Sequence, residues 1–551
     1  MQIVIPMSGF GERFRRAGYK VPKPLIEVEG KTIIQHVVEM FSSDDEFIFV
    51  CNELHLINKH FNLRSILKKI APKSKIVSIK PHKKGPSFAI SMARKFVKMN
   101  KPIIVNYCDF TCYWSWKNFK KFANDNNFDG IIPAYKDFHP HSLGKTNYAY
   151  IKEKKFNVID IQEKKPFTSN KSKEFASSGT YYFSSAKLLF DAIKYQISNG
   201  LNINGEFYTS LAYHYLLNKK KTIKVYPLQH FMQWGTPEDL DDYIFWSKTF
   251  HNLLKFPRRK NYFDGNLVIP MAGFGSRFIN SGFKKLKPLL EVSGDPMVIQ
   301  ATKDIEAKKI TRFILRGKSK PILDIEKKLL KEFDRASIKK IFKKTEGQAS
   351  TSYIGSKSLD INSPVTFGVC DTGVIFNLNA FKKIINSKSD IVVWGIRDLP
   401  KSKLNPEMFG WINTNGTIIK NISVKKPINK NTCYPIVLGI FTFKKLKYFL
   451  DSYDQLISKN DKVNNEYYLD SLINHSIKLG YRCEYFNVES VLSWGTPEDY
   501  NTFNYWQSCF HKWKGHPYTL KKDSRVNKKN YNKLNISINK FRALEKLVDQ
   551  H

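Results

Sequence analysis

The chain has 551 residues, 42% hydrophobic and 14% aromatic, so it is too long for one ordinary core and too apolar for general disorder. Its formal net charge of +41 favours anionic partners, but the lysines are spread along the whole chain and no nucleic-acid recognition module is present, which argues against nucleic acid. The 7 cysteines are irregularly spaced and favour a reducing, cytoplasmic compartment, and we expect neither a signal peptide nor a transmembrane helix.

The first thirty residues predict an anion-binding turn. Residues 3–7 form a short apolar run typical of a buried strand, and Gly9, Gly11 and Arg13 follow it, with Lys23 ten positions further on. Glycines let the backbone approach a ligand closely, and the N–H groups of such a turn can point at phosphate oxygens. Arg13 and Lys23 would bring positive charge to the same anion.

Short apolar runs then alternate with helical patterns. Residues 47–50, 103–105 and 130–134 predict buried strands, whereas residues 33–40 and 87–96 have the apolar spacing of helices. This alternation predicts a mostly parallel sheet covered by helices on both faces, with ligands at the carboxyl ends of the strands.

Asp109 follows directly on one of these predicted strands, where a Mg²⁺ ion that bridges phosphates would need a hard oxygen ligand. An ordinary turn aspartate at a strand end is the alternative. His139 and His141 flank Pro140 without a third metal ligand nearby, and we expect them to be exposed loop histidines.

The chain repeats its landmarks at an offset of about 260 residues. The recurring pairs are Gly9 and Gly273, Asp109 and Asp371, Glu206 and Glu466, and Trp234 and Trp494. We interpret this as a tandem duplication. The predicted divisions are a first domain at 1–255, a basic linker at 256–265, a second domain at 266–513 and a polar basic tail at 514–551 with a short helix near its end.

The run Gly-x-Gly-x-Arg followed by a Lys-Pro pair resembles the signature of the nucleoside-triphosphate-dependent sugar-phosphate nucleotidyltransferases. That family includes nucleotide-sugar pyrophosphorylases and their choline-phosphate and polyol-phosphate relatives. The resemblance implies the α/β class, with two tandem Rossmann-like domains, each a mostly parallel mixed sheet flanked by helices. It also implies Mg²⁺ as cofactor, and a nucleoside triphosphate and a phosphorylated small molecule as ligands.

The resemblance assigns site residues position by position. The implied catalytic cations are Arg13, Lys23, Arg277 and Lys287, and the implied metal ligands are Asp109 and Asp371. The implied nucleotide-binding residues are Gly9, Gly11, Gly85, Gly273, Gly275, Gly347 and Gln348. The implied acceptor-binding residues are Lys165, Gly179, Glu206, Lys426, Gly439 and Glu466, of which the two glutamates could equally have a plain surface role.

The sequence departs from the family pattern at two places. Pro86 stands in the first copy where Gln348 stands in the second, so the copies would differ in nucleotide preference or only one would bind well. Gln233 and Ser493 stand where family members often have a second acid, which leaves the second metal ligand open.

The implied reaction is Mg²⁺-dependent transfer of a nucleotide to a sugar, polyol or amino-alcohol phosphate with release of pyrophosphate, in precursor synthesis for surface glycoconjugates. A regulatory or scaffold protein with one or both domains inactive is the main alternative. A glycosyltransferase is a second, although the Asp-x-Asp motif is missing after Asp109 and Asp371. A charge-driven nucleic-acid-binding protein is a third, and homo-oligomerisation is left open.

Overall fold

The computed structural model describes residues 1–144, 148–260, 263–273, 275–429 and 434–549. Outside the described residues lie Asn261 and Tyr262 of the expected linker, Phe274 of the second glycine run, Cys433, and Gln550 and His551 of the expected tail. The chain forms two compact units. Unit 1 comprises Met1–Ile244, Lys512–His516 and Asn539–His551, and unit 2 comprises Phe245–His511 and Pro517–Ile538. The domain divisions drawn from the sequence stay a prediction.

The first half of the chain alternates strands and helices. Its strands are β1 (Gln2–Met7), β2 (Glu27–Val28), β3 (Lys31–Thr32), β4 (Glu46–Asn52), β5 (Lys75–Ile79), β6 (Ile103–Asn106), β7 (Phe110–Tyr113), β8 (Gly130–Tyr135), β9 (Ala149–Lys154), β10 (Asn157–Glu163), β11 (Phe175–Ser177), β12 (Thr180–Phe183), β13 (Ile223–Leu228) and β14 (His230–Gln233). Its helices are α1 (Glu12–Arg16), α2 (Ile33–Val38), α3 (Glu53–Ile57), α4 (Leu63–Ile70), α5 (Gly85–Ser91), α6 (Trp116–Asp125), α7 (Ala186–Ser198), α8 (Thr209–Asn218) and α9 (Pro237–Lys255).

The second half alternates in the same way. Its strands are β15 (Asn266–Pro270), β16 (Glu291–Val292), β17 (Asp295–Pro296), β18 (Thr311–Arg316), β19 (Ala336–Ile341), β20 (Val365–Phe367), β21 (Thr372–Ile375), β22 (Ile391–Ile396), β23 (Gly410–Asn415), β24 (Ile418–Val424), β25 (Ile436–Phe443), β26 (Cys483–Asn487) and β27 (Ser490–Ser493). Its helices are α10 (Ser276–Asn280), α11 (Met297–Asp304), α12 (Lys320–Glu332), α13 (Gln348–Ser356), α14 (Leu378–Ile385), α15 (Pro400–Leu404), α16 (Leu446–Ser458), α17 (Leu469–Lys478), α18 (Pro497–Lys512), α19 (Tyr531–Asn539) and α20 (Arg542–Val548).

The main sheet of unit 1 has ten strands in the order β11-β9-β10-β13-β8-β12-β6-β1-β4-β5. β1 is buried along its whole length and runs parallel to β4 and β6, with Val4 opposite both Ile48 and Val105. β12 runs antiparallel between β6 and β8, so the sheet is mixed. Central strands made of apolar residues on both faces need helices on both sides, which confirms the predicted α/β class.

The main sheet of unit 2 has nine strands in the order β19-β18-β15-β20-β25-β22-β26-β24-β23. Taken from β23 to β19, this order matches the unit 1 order from β9 to β5, strand for strand. β15 lies parallel between β18 and β20, as β1 lies between β4 and β6. The two halves therefore build the same sheet, which is what a duplication would produce.

Unit 1 includes segments from far along the chain. Trp513 lies 5.3 Å from the His36 ring and 6.2 Å from the fully buried Trp234 ring, between ring centroids, and Trp234 contacts Tyr243. Near the end of the chain α20 packs against β13, and Leu547 is fully buried there. Within the described part of the chain, no helix is both long and apolar enough to cross a membrane.

Candidate active site

Both predicted glycine turns follow a buried strand. After β1, Gly11 adopts a left-handed conformation with φ of 63° and begins the short helix α1; after β15, Gly275 does the same before α10 with φ of 64°. A Cβ atom at Gly9 or Gly273 would meet nothing within 4 Å. The left-handed positions favour glycine, and the open positions leave the backbone accessible to a ligand.

Lys23 and Asp109 form an ion pair beside the first turn. Nζ of Lys23 donates to Oδ2 of Asp109 at 2.7 Å, with both side chains about one-fifth exposed. Burial is the largest single effect and lowers the pKa of Lys23, but the charge of Asp109, the charge of Cys108 and the hydrogen bond to Asp109 together raise that pKa above its ordinary value. Arg13 is exposed and lines the same cavity. Two predicted cations and the predicted metal ligand are therefore together.

Unit 2 repeats this arrangement. Nζ of Lys287 donates to Oδ2 of Asp371 at 2.5 Å and to the carbonyl of Gly495 at 3.0 Å. Burial is again the largest single effect and lowers the pKa of Lys287, but the charges of Asp371 and Cys370 and the hydrogen bond to Asp371 together raise that pKa overall. Arg277 is exposed at the start of α10, in the position that Arg13 has in α1.

Polar side chains lie next to each of these aspartates. A Cβ on Gly235 would stand 3.0 Å from Oδ2 of Asp109 and would overlap Nε2 of the Gln233 amide, so the two side chains share the space over that glycine. In unit 2, a Cβ on Gly495 would stand 3.5 Å from Oδ2 of Asp371 and 4.0 Å from Oγ of Ser493. Carboxylate, amide and hydroxyl oxygens suit Mg²⁺, which usually takes only one or two carboxylates and completes its shell with water and phosphate. These residues fit the ion that the family resemblance implies.

One cavity of about 600 Å³ in unit 1 holds both groups of predicted residues. It is lined by Gly9, Gly11, Arg13, Lys23, Gly85, Asp109, Gly179 and Glu206, and also by Glu163, Lys164, Tyr208 and Gly235. A volume of this size suits a small-molecule ligand.

Lys164 lines the cavity, whereas the family resemblance implies Lys165 as the acceptor-binding residue. Lys164 has a left-handed backbone with φ of 58°, its Nζ donates to the Tyr208 hydroxyl at 2.5 Å, and that hydroxyl donates to Glu206. Lys165 is exposed and is not part of the cavity lining. The extra lysine before Pro166 shifted the assignment by one position, because sequence alone does not show which lysine the strained backbone turns inward.

The same shift applies in unit 2. Lys425 has φ of 57°, its side chain is partly buried, and its Nζ donates to the carbonyl of Met408 at 2.5 Å, whereas Lys426 is exposed. The Lys425 ammonium also lies over the Tyr468 ring, as that of Lys164 lies over the Tyr208 ring. The structure thus turns Lys164 and Lys425, rather than Lys165 and Lys426, toward the acceptor-side residues.

Gly85 and Gly347 lie against the backbone of the segments that follow Glu206 and Glu466. A Cβ on Gly85 would stand 2.6 Å from the amide nitrogen of Phe207, and one on Gly347 would stand 2.6 Å from that of Tyr467. Phe207 donates its N–H to the Lys84 carbonyl at 3.0 Å, and Tyr467 donates to the Glu346 carbonyl at 2.7 Å. No side chain fits there, so each glycine joins a predicted nucleotide segment to a predicted acceptor segment. Gln348 is partly buried as the first residue of α13.

Gly179 and Gly439 also need to be glycines. Their φ values are 91° and 73°, and a Cβ would come within 3.0 Å of Tyr107 in unit 1 or of Val369 in unit 2. Tyr107 donates its N–H to the Gly179 carbonyl at 3.0 Å. The close approach keeps Gly179 in the cavity wall beside Tyr107.

One histidine prediction was wrong. His139 is only 2% exposed and packs on Tyr135 at 4.5 Å between ring centroids. Burial lowers the pKa of His139 to about 4. His141 lies within the same ring cluster, 5.1 Å from Tyr148, and burial lowers its pKa as well. The histidines and Pro140 alone gave no sign of this burial, because it depends on packing with the nearby Tyr135 and Tyr148 and with Phe231, which is about 90 residues further along the chain.

Glu163 makes the stability of unit 1 depend on pH. Burial raises the pKa of this carboxyl from 4.5 to about 7, although Ser210 donates a hydrogen bond to it. Between those values the folded chain keeps a proton that the unfolded chain has lost, so the free energy of unfolding falls as pH rises, by roughly 3 kcal/mol across the window. Glutamine at this position stays neutral, so the free energy of unfolding of Glu163→Gln should not fall in this way. Measured by urea denaturation, the difference in stability between the variant and the unsubstituted protein should therefore shift in favour of the variant as pH rises from about 5 to about 8. The same comparison for exposed Asp125→Asn should show no such trend.

A family model described as nucleotidyl transferase matches residues 3–240. Mannose-1-phosphate guanyltransferase beta-A of Xenopus laevis is 27% identical over 198 residues, covering 34% of this chain and 51% of that protein. The 2-C-methyl-D-erythritol 4-phosphate cytidylyltransferase of Wigglesworthia glossinidia brevipalpis is 33% identical over 137 residues, covering 24% of this chain and 55% of that protein.

Among solved structures, the nucleoside-diphosphate-sugar pyrophosphorylase of Vibrio cholerae RC9 is similar, with 20% identity and a TM-score of 0.37, covering 44% of this chain and 99% of that one. The chain spans about half the length of the curated relatives it matches.

Proposed function

We propose, from the match of residues 3–240 to a family model described as nucleotidyl transferase, that unit 1 transfers a nucleotide from a nucleoside triphosphate to a phosphorylated small molecule and releases pyrophosphate. The observation that carries the proposal is that one cavity in unit 1 holds both groups of residues. It holds the glycine turn, Arg13 and the Lys23–Asp109 pair together with Lys164 and Glu206. Such a cavity offers positive charge to two phosphorylated ligands at once.

The reaction is an in-line displacement. A phosphate oxygen of the acceptor bonds to the α-phosphorus of the triphosphate, the bond from that phosphorus to the bridging oxygen breaks, and pyrophosphate leaves. The acceptor phosphate is already an anion at neutral pH, so the protein needs no covalent nucleophile. Its task is to orient two polyanions and to stabilise the charge that develops between them.

The residues of unit 1 divide this task. The turn at Gly9 and Gly11 holds triphosphate oxygens with its N–H groups, and Arg13 and Lys23 stabilise the transferring phosphate and the leaving group. Lys164 binds the acceptor phosphate, and its contact with Tyr208 positions the ammonium. Asp109 and Gln233 would hold Mg²⁺, which supplies further charge neutralisation when bound.

Unit 2 carries the same set, with Gly275, Arg277, the Lys287–Asp371 pair and Lys425. We therefore extend the proposal to unit 2, which would also transfer a nucleotide to a phosphorylated acceptor. The acceptor class covers sugar, polyol and amino-alcohol phosphates, and we place the products among precursors of surface glycoconjugates. The names of the curated relatives, which include a sugar-phosphate guanyltransferase and a cytidylyltransferase of a phosphorylated polyol, support this class.

Pyrophosphate release tests the proposal directly. The full chain with Mg²⁺ is assayed against a grid of nucleoside triphosphates and phosphorylated acceptors. We expect release that requires one triphosphate, one acceptor and the metal. Triphosphate binding without release for any acceptor would instead support a regulatory or scaffold protein, and a salt-sensitive nucleic-acid gel shift alone would support charge-driven binding.

Exchange of one lysine should separate the two candidates for acceptor binding. We expect Lys164→Met to raise the acceptor KM by about tenfold or more, because a charge-assisted bond to phosphate is lost, while the triphosphate KM stays within about twofold. The neighbouring Lys165→Met is the matched control and should change neither constant. If Lys165→Met raised the acceptor KM and Lys164→Met did not, Lys165 would be the lysine that binds the acceptor phosphate.

A further inference from the structure

The proposed acceptor side of each unit contains a further carboxyl group besides Glu206 or Glu466, and the two units supply it from different elements. The strand registers fix which residues correspond. In unit 1, Glu163 at the end of β10 pairs with Ala149 of β9; in unit 2, Val424 at the end of β24 pairs with Gly410 of β23. Each of these strand ends is followed by the inward-turned lysine, Lys164 or Lys425.

In unit 1 the carboxyl comes from the strand. Glu163 is 8% exposed and lines the cavity with Lys164 and Glu206. Its Oε2 accepts a hydrogen bond from Oγ of Ser210 at 2.6 Å. Ser210 is the second residue of α8, directly after the Tyr208–Thr209 helix start. The short side chain of Ser210 on α8 leaves room for the longer side chain of Glu163, which comes from β10.

In unit 2 the residue types are exchanged. Val424 is apolar at the position of Glu163, and Asp470, the second residue of α17, stands at the position of Ser210. Gly410 replaces the alanine on the facing strand, and a Cβ atom there would overlap Oδ2 of Asp470. Three positions have therefore changed together, and the glycine makes space for the carboxylate on the helix.

Asp470 lies within electrostatic range of Lys425. Burial lowers the pKa of Lys425, and the negative charges of Asp470 and Glu466 oppose that shift, whereas the charge of Arg277 adds to it. Burial raises the pKa of Asp470 to about 6, as burial raises that of Glu163 to about 7. Both carboxyls thus stand in similar surroundings beside the inward lysine, although one is carried by a strand and the other by a helix.

We propose that Asp470 is an acceptor-binding carboxyl of unit 2 in addition to Glu466, and that its origin on α17 gives unit 2 a different acceptor preference from unit 1. This inference rests on the proposed function. A carboxylate oxygen accepts hydrogen bonds from hydroxyl groups, so the expected ligand is a phosphorylated polyhydroxy compound with its phosphate on Lys425 and its hydroxyls on Asp470. A shorter side chain that enters from another direction selects a different hydroxyl arrangement.

Single substitutions in unit 2 test the binding role. The full chain carrying Asp109→Ala limits turnover to unit 2, and the probes are mannose 1-phosphate, glucose 1-phosphate and glycerol 3-phosphate with each triphosphate. We expect Asp470→Asn to raise the acceptor KM about tenfold or more and to leave the triphosphate KM within about twofold. Gly410→Ala should act the same way by displacing the carboxylate. Asp454→Asn, at an exposed position of α16, is the control and should change neither constant.

A reciprocal exchange tests the preference. The triple variant Gly410→Ala, Val424→Glu, Asp470→Ser rebuilds the unit 1 arrangement within unit 2. We expect it to regain acceptor turnover with the order of preference that unit 1 shows in an Asp371→Ala chain. An unchanged acceptor KM in Asp470→Asn overturns the inference, as does a triple variant that binds triphosphate normally but keeps the original preference.

The failure of the proposed function looks different. If unit 2 binds no triphosphate and releases no pyrophosphate while Asp470 is intact, the enzymatic assignment fails. Calorimetric titration of the same acceptor probes then decides the role of Asp470. If an acceptor probe binds and Asp470→Asn weakens that binding about tenfold, the inference is supported. If no probe binds, the inference is overturned.

Discussion

Alanine in place of Asp109 is expected to slow pyrophosphate release by unit 1 on the order of 100-fold or more. The substitution removes the carboxylate that would hold the metal and leaves Lys23 largely buried without its partner. Asp371→Ala is expected to do the same to unit 2. If the units use different acceptors, the two variants will each lose one activity and keep the other, and the pyrophosphate assay with matched acceptors measures both.

The control for this prediction is Asp125→Ala, which removes an exposed carboxylate from α6 of the same unit. We expect no change in rate from it. Full turnover with every acceptor in both Asp109→Ala and Asp371→Ala would contradict the metal assignment. Loss of both activities in either single variant would instead show that the two units depend on each other for turnover.

Leu547→Ala is expected to destabilise unit 1, although Leu547 lies just over three hundred positions beyond the end of the family match. Leu547 is fully buried where α20 packs on β13. Leucine-to-alanine changes in a core cost roughly 2–5 kcal/mol. Hydrogen exchange of the β13 peptide Ile223–Leu228, read by mass spectrometry, should therefore accelerate by about 30-fold or more if these amides exchange through unfolding of the unit.

The adjacent Val548→Ala serves as the control, because Val548 is 60% exposed on the same helix. Its exchange rates should match those of the unsubstituted chain, since surface changes usually cost less than about 0.5 kcal/mol. Equal exchange in the two variants would mean that α20 contributes little to the stability of unit 1.

The fold was predictable because local and global signals agree. Residues 47–50, 103–105 and 130–134 are apolar on both faces, and each lies within an observed strand. The helical spacing at 33–40 corresponds to α2, while that at 87–96 is split between α5 and a short 3-10 turn at Arg94–Phe96. The position of β12, which runs antiparallel between β6 and β8, was not predicted. The periodicity of apolar residues identifies a strand but does not give its direction in the sheet.

The residues that we propose for nucleotide binding were largely visible in the sequence. The glycines, Arg13, Lys23 and Asp109 lie within short motifs next to strand ends, so the fold brings them together without long-range adjustment. The residues that we propose for acceptor binding were less visible. Which of Lys164 and Lys165 lines the cavity depends on one backbone angle, and the position of Asp470 in unit 2 depends on the space that Gly410 leaves for its carboxylate.

Residues 512–516 and 539–549 were assigned on the sequence to the second copy and to a tail, because no motif ties them to the first copy. The structure nevertheless packs Trp513 against Trp234 and Leu547 against β13. These contacts bury apolar side chains. Apolar burial is non-directional, so the sequence of an apolar segment does not show which part of the chain it packs against.

The late origin of these contacts matters while the chain is being made. A ribosome adds about 5–20 residues per second, so the roughly 300 residues between Ile244 and Leu547 take on the order of 15–60 s to appear. During that interval the nascent N-terminal sheet has Trp234 and β13 uncovered. Newly made chains should therefore be most vulnerable to aggregation and most dependent on chaperones before the last segment emerges, even though the first glycine turn was translated long before.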